Sequence, residues 1–128
     1  MPAWTKDELK RIGDAQELQL ASVRADRSLG RYTTMWVVRV GDEIYVRSAG
    51  GPERAWYRDA KTSGAGRIRA GGVERDVTFA KASADTHTAI DAAYHDKYDG
   101  YGPTIVGHVV GQAATAVTVR LVPAADQR

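Results

Sequence analysis

Residues 33–60 read TTMWVVRVGDEIYVRSAGGPERAWYRDA. The first eight are rich in β-branched and aromatic side chains, which suit a pleated, half-buried surface and predict a strand over 33–40. Gly41-Asp42 follows as a two-residue loop with glycine first, the composition of a type II′ hairpin turn. That loop sets a register: Val40 faces Glu43, Arg39 faces Ile44, Val38 faces Tyr45, Val37 faces Val46 and Trp36 faces Arg47. With a period of two, Met35, Val37, Ile44 and Val46 share one face, the barrel interior, and Trp36, Val38, Tyr45 and Arg47 share the other. Both faces are apolar enough to need covering. Trp36 opposite Arg47 is placed for a cation–π contact of ~0.5–2 kcal/mol. The returning strand, 43–48, breaks at Ala49-Gly50-Gly51-Pro52, and a helix carrying Trp56 and Tyr57 restarts over 54–62 and ends at Ser63-Gly64. A glycine-rich loop ahead of a helix start can aim backbone amides at an anion. Arg47, Arg54 and Arg58 bracket this one, so the expected ligand is flat, aromatic and anionic. The competing reading is a plain strand-to-helix corner with surface arginines, since Gly-Gly-Pro marks a turn whatever its job.

On the N-terminal side, Thr5 and Glu8 have capping-box spacing ahead of a short helix with Leu9 and Ile12 inward and Gly13 at its end. Residues 17–24 alternate as a strand, and 25–31 form a polar loop beside Arg24, Arg27 and Arg31. On the C-terminal side, 67–79 fold as a second hairpin about Gly71-Gly72. Its register sets Arg69 against Glu74 and Arg67 against Asp76, pairs worth ~0.2–1 kcal/mol each on a wet face. Residues 83–98 are helical, with Ile90, Ala93, Tyr94 and Tyr98 in one stripe. Two more strands are expected at 104–110 and 115–122, with Pro123 stopping the pairing and 124–128 frayed. Six or seven antiparallel strands with about three short helices make a mainly β, α+β chain. Short hairpin connections favour a closed or half-closed barrel over a doubly wound sheet.

At 128 residues the chain is expected to be one domain, 1–128. It has no cysteine. That excludes disulfides, thiolate nucleophiles and Cys-ligated zinc, and suits a reducing cytoplasm. No signal-peptide core and no spanning apolar run are present, so the expectation is a soluble cytoplasmic protein with no membrane partner. Net charge is +2, yet residues 47–75 carry seven basic and three acidic groups, +4, leaving −2 elsewhere. Such a local basic field favours an anionic ligand. Nucleic acid is not expected, because no aromatic platform motif accompanies the arginines.

Few residues point to catalysis. His87, Asp91 and His95 fall on one helical face, where two imidazoles and a carboxylate can hold a metal; a solvated face is the preferred reading and no metal is expected. Ser48, His108 and an aspartate lack the nucleophile-elbow sequence of a hydrolase. Tyr94 belongs to a core stripe, whereas Tyr98 and Tyr101, near the helix end, are candidates to line a substrate pocket.

Val46-Arg47-Ser48-Ala49-Gly50-Gly51 with Trp56-Tyr57 resembles the deazaflavin-dependent nitroreductase group of the flavin-binding split-barrel superfamily, in which a strand ends in Ser and Gly-Gly before a Trp-Tyr helix start. The run 92–98 with Tyr101-Gly102-Pro103, and the ending Arg120-Leu121-Val122-Pro123, are similar to the group's second helix, its exit and its last strand. The pattern, including Trp56-Tyr57-Arg58 and Gly71-Gly72-Val73, is closer still to a small bacterial family of unknown function in the same superfamily. The resemblance implies a split barrel, often dimeric, with a flavin-type ring along the barrel edge and its phosphate on basic loop residues. The cofactor would be FMN or a deazaflavin, and the implied cofactor-binding set is Arg47, Ser48, Gly50, Gly51, Arg54, Trp56, Tyr57 and Arg58. The chain departs from the group at Ala55, where a proline stands, and at Arg58-Asp59, where the group has His-Asn. Arg27-Ser28-Leu29-Gly30 only echoes its glycine-arginine-lysine-serine-glycine loop. Two functions follow as expectations: an FMN- or deazaflavin-dependent oxidoreductase, or a non-catalytic split-barrel binding module.

Overall fold

A computed structural model describes residues 3–124; of the tail expected to fray, 124–128, residues 125–128 lie outside the described residues, and Ala124 donates its N–H to the Asp76 carbonyl at 2.9 Å. The chain runs α1 (Lys6–Asp14), β1 (Leu18–Ser22), β2 (Thr33–Met35), β3 (Val38–Val40), β4 (Glu43–Arg47), α2 (Ala55–Ser63), β5 (Ala65–Ala70), β6 (Val73–Ala80), a 3-10 turn (Ala84–Thr86) and α3 (His87–Tyr98). After a second 3-10 turn come two single-turn helices, α4 (Pro103–Val106) and α5 (Gln112–Thr115), then β7 (Thr118–Pro123). All pairings are antiparallel, and the seven strands lie in the order β2-β1-β5-β6-β7-β4-β3.

The two outermost strands, β2 and β3, are halves of one run. Only Trp36 and Val37 separate them, and three Cα steps span at most about 11 Å. A sheet whose two edges must meet within that distance has to curl around on itself. This is a split barrel, and residues 33–40 are its seam.

Turn chemistry fixes the hairpins. Val38 pairs with Tyr45, Arg39 with Ile44 and Val40 with Glu43, as the Gly41-Asp42 loop dictates. Gly41 alone in that loop has a positive φ, 61°, the pattern of a type II′ turn. Gly71 and Gly72 both lie in the left-handed region, at 56° and 82°, and the expected pairs Arg67–Asp76 and Arg69–Glu74 form across β5 and β6. At Gly71 a Cβ would sit 2.2 Å from the Arg11 carbonyl oxygen, so glycine also lets the hairpin tip dock on α1.

Two cores result. Ile44, Val46, Leu18, Leu20, Ile68, Val77, Val119 and Leu121 fill the barrel with Leu9 and Ile12 of α1 and Trp56, Tyr57 and Ala60 of α2. Trp4 closes one end, its indole N–H donating 2.9 Å to the Leu121 carbonyl. On the outer face of β3 and β4, Val38 and Tyr45 pack under Ile90, Tyr94 and Tyr98 of α3 with Val106 and Val109. Burying each such side chain contributes about 1.5–3 kcal/mol, which explains why both faces of this hairpin are apolar.

Four expectations need correction. The predicted strand at 33–40 is interrupted at Trp36-Val37, so Val37–Val46 and Trp36–Arg47 are not ladder pairs. Residues 104–110 are not a strand. Pro103 opens α4 with its φ preset for a first helical turn, and Gly107 N–H closes that turn on the Pro103 carbonyl at 2.9 Å. The last strand starts at Thr118, because Gln112–Thr115 coil first. α1 runs one residue past Gly13, whose missing side chain instead admits the Arg39 stem, 3.2 Å from where a Cβ would lie. Pro123 is the last paired residue of β7, opposite Val77.

Candidate functional site

The site begins at the seam. Leaving the ladder frees the backbone polar groups of Val37, and a buried peptide must find partners elsewhere. The Tyr98 hydroxyl accepts from the Val37 N–H at 3.1 Å and donates to the Gln16 carbonyl at 2.8 Å. The Lys97 ammonium donates to the Val37 carbonyl at 2.8 Å and to the Gly13 carbonyl at 3.0 Å. The end of α3 therefore holds the seam open and ties it to the end of α1. Burial pushes the Tyr98 phenol up to about 12, so it stays a protonated donor.

With the seam fixed, Trp36 stacks on Tyr98, centroids 4.0 Å apart and planes within 4°, and Tyr101 leans on it at 5.1 Å. Trp36 is thus a braced aromatic plate, not a partner of Arg47. Arg47 lies instead over the ring of Tyr94, 5.6 Å from its centroid, and burial holds that phenol well above its ordinary pKa.

The Arg47 side chain is fully buried, 0% exposed. Its donors go to the Asp91 carboxylate, to the Thr118 hydroxyl at 2.8 Å and to the Val109 carbonyl at 2.8 Å, with His87 Nδ1 at 3.4 Å. A buried cation needs such a set of acceptors to repay its lost hydration. Of the three helical residues considered for a metal, His87 and Asp91 serve Arg47, and His95 pairs with Asp99 at 2.7 Å.

Between the seam and the 49–54 loop runs a groove of about 600 Å³, within the range of small-molecule sites. Trp36, Met35, Trp56, Ile105 and Val109 give it apolar walls, and Thr33, Thr34, Glu17, Arg54 and His108 add polar ones. Gly50 forms part of the lining beside Arg54. A Cβ on Gly50 would lie 1.7 Å from Arg54 Nε and 2.6 Å from its guanidinium carbon. The missing side chain therefore lets the Arg54 guanidinium approach the loop backbone closely.

The eight residues expected to hold a cofactor divide evenly. Arg47, Gly50, Arg54 and Trp56 border the groove, Arg47 with its side chain sealed from solvent. Ser48 is buried and closes its own turn, its hydroxyl donating 2.6 Å to the Gly51 carbonyl. Gly51 supplies the positive φ of that turn, 86°. Tyr57 packs in the barrel core and donates to the Ala116 carbonyl at 3.2 Å. Arg58 is exposed on α2, outside the groove lining. Tyr98 braces Trp36 from behind, and Tyr101, 50% exposed, flanks it. Glu17 and Ile105 were not singled out by any motif, and His108 only as part of a hydrolase triad. Glu17 sits just before β1 and the other two in a stretch expected to be a strand, so nothing in their local sequence marks them.

The fold recurs in solved structures. A putative pyridoxamine 5'-phosphate oxidase from Listeria innocua is 15% identical, with 90% of this chain and 89% of that one covered at a TM-score of 0.62. An F420-H2 dependent reductase is 14% identical, covering 84% and 93% at 0.60. A structure described as a domain-swapped dimer is 13% identical, covering 84% and 79%, also at 0.60. At these identities the likeness is one of fold. No curated protein matches the sequence. A family model described as an uncharacterized protein conserved in bacteria matches residues 8–121.

Proposed function

The chain belongs to that bacterial family, DUF2255, and from there we propose that it binds a flavin or deazaflavin in the groove between the seam and the Gly50 loop, as a redox protein. The observation that carries this reading is the pairing of a braced aromatic plate, Trp36 on Tyr98, with a guanidinium laid against Gly50 on the same groove. Trp36 and Trp56 both line the groove and offer aromatic surface to a flat ring, and the exposed Arg54 is the guanidinium placed for its phosphate. Met35, Ile105 and Val109 keep water from the ring face. Bound there, such a ring supplies hydride transfer, while the chain contributes position and field. His108 is the imidazole in the groove lining. Two of the likened structures are named as a putative pyridoxamine 5'-phosphate oxidase and an F420-H2 dependent reductase, which supports a redox reading by analogy of fold.

The second reading, a non-catalytic binding module, is favoured by one feature. Arg47 is committed internally and Glu17 lines the groove, so Arg54 is left with little cationic company for a phosphate. Titration of the protein with FMN and with a deazaflavin, followed by tryptophan fluorescence, separates the two. Saturable quenching that weakens about tenfold in Arg54→Ala, a loss of ~1.5 kcal/mol, and not in Arg58→Ala supports the redox protein. Indifference to both ligands leaves the binding module. A homodimer and a cytoplasmic setting belong to the same proposal. Ile105 and Tyr101, about half exposed near the groove mouth, are the surface a second copy would cover, and light scattering of wild type against Ile105→Lys tests that. Among the described residues no helix is long and apolar enough to cross a membrane.

A further inference from the structure

The groove carries two opposite charges that do not meet. Arg54 stands just ahead of α2 and Glu17 just ahead of β1; both line the cavity and both are exposed. Neither joins an ion pair among the described residues. Arg47 borders the same cavity, but its side chain is sealed and answered by Asp91, so it does not cancel Glu17.

What lies beside Glu17 is aromatic. Leu18 and Met35 form the last pair of the β1–β2 ladder. One step further in that register Glu17 comes opposite Trp36, and opposite residues of an antiparallel pair carry their side chains on one face, with Cβ atoms about 5 Å apart. The preceding residue pins this step. The Gln16 carbonyl accepts from the Tyr98 hydroxyl at 2.8 Å, and the Gln16 side-chain amide donates to the Tyr101 hydroxyl at 2.7 Å. These are the two tyrosines that brace Trp36, Tyr98 stacked at 4.0 Å and Tyr101 tilted by 44° at 5.1 Å. The Glu17 charge also reaches the Tyr98 phenol, which burial raises most and Glu17 raises further. Trp36 is only half-buried and is part of the groove lining, so some of its indole is presented to the cavity.

Indole is the side-chain π-system that attracts a cation best, and a carboxylate beside it adds a full opposite charge. An anion would be repelled by both, and a neutral ring gains from the indole alone. We propose that Trp36 and Glu17 form a subsite for an organic cation, a quaternary ammonium or an N-alkylated aromatic ring, in the same groove as Arg54 and apart from it. In a redox protein the substrate must lie against the flat ring, and the groove surface beside Trp36 carries the Glu17 charge. As the substrate class of a flavin protein, the cation rests on the reading above. As a ligand of Trp36 and Glu17, it does not.

The test is titration of the full-length protein with phenyltrimethylammonium, without flavin, followed by NMR of the indole N–H groups of its three tryptophans. The Trp36 signal should move saturably, and that of Trp4, at the closed end of the barrel, should stay. Benzyl alcohol, an aromatic without charge, should bind about tenfold more weakly. Glu17→Gln keeps the size of an exposed side chain and should weaken the cation about fivefold, the effect of one exposed ion pair, while leaving benzyl alcohol unchanged. A cation bound no more tightly than benzyl alcohol, or bound equally by Glu17→Gln and wild type, overturns the proposal. Because flavin is absent, such a result leaves the flavin titration to be read separately, and failure of FMN and a deazaflavin to bind removes only the cation's redox role.

Discussion

Two regions of this molecule are rich in arginine and use it oppositely. On the β5–β6 hairpin, Arg67 and Arg69 lie on a wet face opposite Asp76 and Glu74 and are paired across the strands. Along the groove, Arg47 is sealed inside with Asp91, Thr118 and Val109, and Arg54 lies against Gly50 with no acidic partner among the described residues. The charge is the same in every case. What differs is whether solvent, a cross-strand carboxylate or a buried acceptor set answers it. Local positive charge is therefore a poor guide to ligand binding until each cation's partner is known, and here the surplus of the central segment narrows to Arg54 at the groove.

The sharpest way to break this contrast is to remove a cation from each setting. Arg47→Ala should cost most, about 3 kcal/mol, because it empties a fully buried side-chain site and leaves the part-exposed Asp91 and two further acceptors without their donor; the shift in urea midpoint checks it. Arg54→Ala comes next. It should leave the midpoint within about 0.5 kcal/mol of wild type while losing about tenfold in flavin or deazaflavin affinity, which titration reads. Lys97, a cation hydrogen-bonded to two carbonyls and set over the Tyr98 ring, sharpens the comparison through pH. Its folded pKa of about 8 lies below its ordinary 10.5, so between those values the unfolded chain holds more protons and stability rises with pH. From pH 8 to 9.5 the gain should be about 1 kcal/mol after allowance for solvent screening at a half-exposed group, and Lys97→Met should abolish it. Arg69→Ala should do least, ~0.2–1 kcal/mol in midpoint and nothing to ligand affinity. An Arg69 effect larger than that of Arg47 would invert the whole comparison.

What sequence reveals here follows the range of the forces involved. The registers at Gly41-Asp42 and Gly71-Gly72 are legible because a two-residue turn fixes its own neighbours, and the period of two then assigns both faces. The capping box at Thr5 and Glu8 is equally local, and both of its bonds form. The break at Trp36-Val37 is not legible. Its backbone groups are satisfied by Tyr98 and Lys97, about sixty positions away, so a run of good strand formers is overruled by a distant hydroxyl and ammonium. Residues 104–110 fail for a related reason: Thr104, Ile105 and Val106 favour strand intrinsically, but Gly102 and Pro103 set the backbone for a helical turn, and Val106 is drawn into the outer core. At the site, Gly50, Arg54 and Trp56 could be read from the loop motif. Arg58 follows the same motif yet points elsewhere, because it is two residues, about 200° of helical turn, on from the groove-lining Trp56 and so falls on the other side of α2.

The interruption of the seam has one more consequence, for self-association. An unbroken strand over residues 33–40, paired along its length with β4 alone, would present one long outer edge of unpaired amides and carbonyls, a template on which a second chain could add. Split as it is, the sheet ends in two edges of three residues each, β2 and β3, and brevity is one way proteins discourage amyloid-like edge growth. The tyrosine and lysine that hold the gap therefore also keep the sheet's edges too short for strand-by-strand addition.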